Sequence, residues 1–353
     1  MDRPRVSHAR EERVNDGGAP RRVEAGAAAP RRAEPPGREP LTAGCERRDA
    51  RPMPPIRHTL EIEGPLDLPL TLTCVQAFRW RPIPGGAWSG VVGRAEILVR
   101  ATGNPPAALH AEIRGESPGA DALRRYFRLD EDPRRHLEEP GTPAAELAAL
   151  PGFGDLLGMR LLRQEPWETL VSFICSAASN VRKIAGGVEG MAERWGEPIE
   201  GSARRAFPAP ERLARARERD LRTLGIGFRA PYVLETARRI ARDGWDWDSL
   251  RESPIEEARA RLRELPGVGP KIADCVLLFG VDRLDTYPVD RWIRRATLEL
   301  TGRRRARDEE LEAWSRRLGP GRGYLQQILF HLRRTGGPLP TLPSERPARR
   351  KAS

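Results

Sequence analysis

Apolar positions recur along this chain with two different spacings. Between His58 and about Gly115, the runs HTLEIEG, AFRWRPI, AWSGVV and AEILVRA are rich in β-branched and aromatic residues and are separated by Pro-Gly-Gly and Gly-Arg turn signals. That pattern predicts an antiparallel sheet. From Asp121 onward apolar residues fall three and four apart, in ALRRYFRL, WETLVSFICSAASNVRKIAGGVEGMAERWG, ERDLRTLG, PYVLETARRIARD, PIEEARARLREL, KIADCVLLFG, RWIRRATLEL and GYLQQILFHLRR. Many of these segments end at glycine or ahead of proline, as helices do. The order predicts an α+β protein, with a small sheet domain at 56–118 followed by a helical domain at 119–335. Residues 1–55, rich in Arg, Pro and Ala, have almost no apolar periodicity and cannot bury enough surface to offset the entropy of ordering. They are expected to be a disordered tail, as is the basic segment 336–353. Patterned sequence starts just after Met53, which makes that residue a candidate start of translation.

Charge narrows the partner. The net charge of +11 and the isoelectric point near 10.4 favour a polyanion, nucleic acid before membrane. No apolar run reaches the roughly 20 residues of a membrane span, and the first twenty residues lack the apolar core of a secretory signal. A soluble, intracellular monomer is expected, in the cytoplasm or nucleoid of a bacterial cell or the nucleus of a eukaryotic one. Cys45, Cys74, Cys175 and Cys275 are too scattered for a metal-binding spacing, and the five histidines form no i,i+3 or i,i+4 pair. Reduced thiols and no transition-metal site are the expectation.

Only three of the 61 basic residues are lysine, namely Lys183, Lys271 and Lys351. Lys271 stands in LPGVGPKIADCVLLFG, where the helical pattern PIEEARARLREL runs into Pro266-Gly267-Val268-Gly269 and a second helix starts at Pro270. This is a helix-hairpin-helix, spanning about 255–280. Its glycines permit a sharp turn that leaves amide groups facing outward at a helix start, where a DNA phosphate is favoured. Such a grip holds a backbone without reading bases. Nineteen residues after the lysine, Pro288-Val289-Asp290 opens the next helix, with Asp290 at an N-cap position. Taken alone, the pair also fits a plain helix cap and a solvent-facing lysine.

The spacing of LPGVGPK and Pro-Val-Asp resembles the helix-hairpin-helix DNA glycosylases. The motifs AFRW at 77–80, WSGV at 88–91, YFRLD at 126–130, MRLLRQEPWETLVSFICSAASN at 159–180, LGIGFRAPYV at 224–233 and YLQQILF at 324–330 extend that likeness. Together they resemble the 8-oxoguanine DNA glycosylase family of eukaryotic type, over most of 58–335. The resemblance implies a twisted antiparallel sheet fused to a helical bundle. It also implies a bifunctional DNA glycosylase and abasic-site lyase of base excision repair, acting on double-stranded DNA with 8-oxoguanine opposite cytosine.

The residue choice agrees with that chemistry. A neutral amine at Lys271 can attack the sugar C1′ and form a Schiff base, which a guanidinium cannot. Asp290 would stabilise the oxocarbenium charge and assist proton movement. By resemblance, Phe330 and Cys275 sandwich the extruded base, Gln326 bonds its Watson-Crick edge and Phe279 lines the same region. Periodicity alone also allows Phe330 and Cys275 as core packing, and Gln327 beside Gln326 reads as polar surface. Asn180, Lys183, Phe228 and Arg229 match the positions that fill the gap and read the opposite cytosine. Lys183 replaces the family's usual arginine, which implies weaker discrimination for that cytosine. Val75 stands where the family usually has a glycine whose carbonyl accepts the N7 proton of 8-oxoguanine, and valine restricts the backbone there. Trp292 replaces a common histidine. A monovalent cation in the hairpin is compatible with the resemblance, and no other cofactor is implied. Two rivals stay open. One is the same fold acting on another modified purine; the other is a non-catalytic DNA-binding module using the hairpin alone.

Overall fold

A computed structural model describes residues 54–137, 141–336 and 338–346. The predicted N-terminal tail, apart from Pro54 and Pro55, lies outside the described residues.

Five strands, β1 Ile56–Glu61, β2 Arg81–Ile83, β3 Ala87–Val92, β4 Ala95–Gly103 and β5 Pro106–Gly115, form one antiparallel sheet in the order β1-β5-β4-β3-β2. The run AFRWRPI yields only the three residues of β2, while β5 is a full strand that no named run predicted. Alternation sets the buried face. Ile97 and Val99 of β4 pair with Ile113 and Ala111 of β5, and all four are buried. Each large aliphatic side chain so buried contributes about 1.5–3 kcal/mol relative to exposure. Helices α1 Leu68–Thr73 and α2 Ala120–Tyr126 close this layer, through Leu68, Leu72, Leu123 and Tyr126.

The rest is helical. In chain order come α3 Pro143–Ala148, α4 Pro166–Ser176, α5 Val181–Trp195, α6 Pro210–Leu213, α7 Glu218–Leu221, α8 Ala230–Asp243 and α9 Trp247–Glu252. They are followed by α10 Ile255–Arg263, α11 Pro270–Gly280, α12 Arg291–Leu300, α13 Asp308–Ser315 and α14 Arg322–Thr335. The long apolar run from Trp167 to Gly196 is two helices rather than one. Ala178 at φ +46 breaks it, and Asn180 then caps α5 by accepting from Lys183 N at 3.0 Å. Apolar periodicity continues across the break, so spacing alone does not reveal it. The core of the helical part is built from Leu170, Phe173 and Ile174 of α4, Val233 and Leu234 of α8, Ile272, Val276 and Phe279 of α11, and Leu325 and Ile328 of α14.

Buried arginines join the sheet side to the helices. Arg128, in the YFRLD motif and at φ +54, donates to the Leu161 carbonyl at 2.9 Å and pairs with Glu131 at 3.2 Å and with Asp282 just beyond α11. Arg160 donates to the carbonyls of Pro65, Arg128, Glu63 and Glu131. Such buried guanidinium groups are tolerated because nearly every N–H finds an acceptor.

The predicted disorder of 336–353 fails over 338–346. Leu342 is fully buried and its amide donates to the Leu300 carbonyl at 2.8 Å. Thr341 donates to the Glu299 carbonyl at 3.0 Å, and Trp314 Nε1 to Glu345 at 3.1 Å. This strap is irregular, so it leaves no periodic signal; its amides donate instead to Leu300 and Glu299 at the end of α12 and to Glu146 of α3. Residues 347–353 lie outside the described residues.

Candidate active site

The hairpin forms as its sequence dictates. Gly267 takes φ +78, and a Cβ there would stand 2.8 Å from Tyr232 Cβ, so both its conformation and its close approach to α8 require glycine. Gly269 is the N-cap of α11 and has open space where a side chain would be, which suits close approach of a ligand to its amide. Val268 is buried, so its side chain belongs to the core and only its backbone is available to DNA. On the far side of α11, an Arg259–Asp274 ion pair at 2.7 Å ties this helix to α10.

Helix α11 presents Lys271 to a cavity of about 880 Å³, within the range of sites that enclose a small ligand. The cavity wall brings together eight residues singled out from the sequence: Lys271, Asp290, Gln326, Phe330, Cys275, Val75, Phe279 and Asn180. They come from the turn after α1, the α4–α5 break, α11, the start of α12 and α14. Asp290 Oδ1 accepts from Trp292 N at 2.9 Å and Ile293 N at 2.8 Å, so the cap is real and holds the carboxylate at the cavity edge. Lys271 Nζ lies 3.3 Å from Ser176 Oγ and 5.2 Å from the Phe173 ring centroid. Phe173 stacks nearly parallel on Phe279, with centroids 5.4 Å apart, and meets Phe78 edge-on. Ser176, Phe173 and Phe78 fall inside the motifs that carry the family likeness, but their side-chain chemistry does not set them apart as site residues.

Gln326 is buried, its Nε2 donates to the Pro288 carbonyl at 3.0 Å, and its Oε1 has no partner. A buried acceptor left bare in a cavity wall is poised for a donor from a ligand. Burial pushes the Cys275 thiol up to about 11, although Lys271 pulls the other way, so the thiol stays neutral and offers a soft apolar surface. Val75 adopts φ +69, so its backbone keeps a glycine-like conformation despite a β-branched side chain. Its carbonyl has no hydrogen-bond partner among the described residues. Gln327, read from the sequence as polar surface, is instead buried and donates to the Cys74 carbonyl.

Of the residues expected to face the opposite strand, Asn180 lines this wall, whereas Lys183, Phe228 and Arg229 do not. Phe228 is exposed, as an inserting wedge requires. Lys183 is exposed on α5. Arg229 is buried and donates to the Ala177 and Ile226 carbonyls, with its guanidinium 4.2 Å from the Phe228 ring centroid. It braces the α4–α5 break, so as placed it does not reach outward as a free reader of cytosine. Trp292 lines the cavity under Arg291, whose guanidinium lies 4.8 Å from the indole centroid. Among the described residues no three of His, Cys, Asp and Glu gather as a metal site would require, and no helix is long and apolar enough to cross a membrane.

Comparison with known proteins agrees with this geometry. Residues 60–170 match the 8-oxoguanine DNA glycosylase N-terminal domain, and 171–320 match the HhH-GPD superfamily base excision DNA repair protein. The chain is 30% identical over 304 residues to the N-glycosylase/DNA lyase OGG1 of Arabidopsis thaliana, covering 75% of this chain and 76% of that one. It is 35% identical over 201 residues to the N-glycosylase/DNA lyase of Saccharomyces cerevisiae, a match that spans about half of each protein, 51% of this chain and 52% of the yeast one. The fold superposes on the Clostridium acetobutylicum 8-oxoguanine glycosylase/lyase, solved with double-stranded DNA containing cytosine opposite 8-oxoG, with a TM-score of 0.68 and 27% identity over 76% of this chain and 92% of that one. With both domains matched in order across the sheet, the hairpin and the cavity, the chain belongs to the N-glycosylase/DNA lyase (OGG1) family of HhH-GPD base excision DNA repair proteins.

Proposed function

We propose that this protein is a bifunctional DNA glycosylase and abasic-site lyase that removes 8-oxoguanine, opposite cytosine, from duplex DNA inside the cell. One observation carries the reading: a single cavity holds the hairpin lysine, the capping aspartate and the buried, half-satisfied Gln326. The duplex is held through the hairpin amides and the basic surface, and the lesion is extruded into the cavity between Phe330 and Cys275. The neutral Lys271 amine forms a bond to C1′ as the glycosidic bond to the base breaks, with the electron pair leaving on the base. Asp290 stabilises the positive charge that develops on the sugar. Loss of the amine proton and ring opening give a Schiff base, and β-elimination then expels the 3′ phosphate and nicks the strand. The scheme draws on an amine and a carboxylate alone, without metal or cofactor.

Borohydride trapping tests it. A covalent adduct with 8-oxoguanine duplex in the wild type, absent in Lys271→Gln, is expected. No adduct in the wild type, or an undiminished one in the variant, overturns the mechanism. A second reading, excision of a different modified purine, is favoured by the Val75 side chain in the cavity wall. Single-turnover cleavage over a panel of lesions separates the two, because faster removal of a purine lacking the N7 proton selects the second.

A further inference from the structure

Gln327 has a place that the proposed chemistry does not use. It is 3% exposed, and its Nε2 donates to the Cys74 carbonyl at 2.6 Å. On the other side of Val75, Gln164 Nε2 donates to the Gln76 carbonyl at 2.9 Å. Two side-chain amides from segments far apart in the chain therefore hold the carbonyls of the two residues on either side of one residue. That residue is the valine at φ +69. Left-handed backbone is strained for a β-branched residue and persists only where the surroundings over-determine it. The paired amides supply that constraint. Val75 and Gln327 both line the cavity, so the backbone state of Val75 sets the shape of the wall and the place of its unpaired carbonyl.

We infer that Gln327 is a positioning residue, which through the Cys74 carbonyl locks Val75 in the left-handed conformation and so fixes the cavity wall against which an extruded base is selected. The inference rests on the base-excision reading of the same cavity. Gln327 need not touch the base itself. Glycine would reach φ +69 without help, whereas valine needs the clamp.

The test is a double-mutant cycle of Gln327→Leu and Val75→Gly, read by single-turnover excision of 8-oxoguanine opposite cytosine and by borohydride trapping on a ready-made abasic duplex. Losing the amide leaves a buried carbonyl without its donor, and excision is expected to fall about tenfold in the Val75 protein. In the Val75→Gly background the same change is expected to cost less than about threefold, since the glycine turn needs no clamp. Trapping on the abasic duplex, which has no base to seat, should fall less than excision does. Equal losses in both backgrounds, or equal losses of excision and trapping, overturn the inference, because simple loss of packing gives that result. Gln327→Glu, of the same size but without the amide donor, repeats the cycle if the leucine variant does not fold. A wild type that forms no adduct overturns the base-excision reading and this inference with it; adduct formation with an additive cycle overturns the inference alone.

Discussion

Lys271 donates to the Ser176 hydroxyl oxygen at 3.3 Å, and that hydroxyl donates onward to the Phe173 carbonyl at 2.7 Å. The serine proton is thus committed to the backbone, which leaves its lone pairs facing the amine. Removing it should cost orientation rather than chemistry. Ser176→Ala is expected to slow Schiff-base trapping by about three- to tenfold, the worth of one hydrogen bond. Its melting temperature should barely change. Trapping time courses check this, and an unchanged rate would exclude the hydroxyl from aligning the amine.

One substitution separates the capping role of Asp290 from the charge-stabilising role proposed for it. Asparagine caps helices about as well as aspartate, so Asp290→Asn should keep both bonds to Trp292 N and Ile293 N. Stability measured by urea unfolding should stay within about 0.5 kcal/mol. Excision should nonetheless fall by about 10²–10⁴, the usual worth of a group that handles charge or protons in the transition state. A large loss of stability would instead make capping its main role.

At Gln326 the unpartnered Oε1 makes a different prediction for stability than for turnover. Gln326→Leu gives up the bond to Pro288 but also removes a bare buried acceptor, so the two changes oppose each other. Net stability should move by less than about 1 kcal/mol. Excision of 8-oxoguanine should drop at least about tenfold, while nicking of an abasic duplex falls less.

Acid sensitivity should trace to Glu131. Burial pushes its carboxyl up, but the hydrogen bond from His136 and the Arg128 and Arg135 guanidinium groups outweigh this and hold it at about 2, against an ordinary 4.5. A depressed carboxyl stabilises the fold fully above its unfolded value and loses that contribution as pH falls through its folded value. The advantage of wild type over Glu131→Gln should therefore be constant above pH 4.5, on the order of 3 kcal/mol, and shrink between 4.5 and 2. Urea titrations of both proteins at several pH values check the sign and the window. A gap that widens in acid contradicts it.

The sequence made the hairpin, Lys271 and Asp290 legible because chemistry limits the residue type while glycine, proline and cap preferences fix the position. Gln326 and Phe330 were legible by family likeness only, since helical spacing would equally have packed them in a core. Gln327 was misread for the same reason: period says which face a side chain shares, not which distant carbonyl it meets. The clamp on Val75, the arginine hub at Arg128 and Arg160, and the buried Leu342 are all contacts between segments far apart in the chain. Local pattern does not record such contacts. Arg229 shows the remaining gap, since its type matched an outward reader of bases while the structure turns it inward to the Ala177 carbonyl.

The strap at 338–346 adds a last expectation. A chain ending at Thr335 loses the buried Leu342 and should be less stable by about 1.5–3 kcal/mol, measurable in urea. The strap fastens to Leu300 and Glu299, at one end of α12, and Asp290 caps the other. One rigid rod of ten residues thus connects the last described stretch of chain to the capping carboxylate of Asp290 at the cavity edge. Activity in the shortened chain should consequently fade on warming before the molecule melts, as the rod loses its rear bearing and its front turn drifts out of aim.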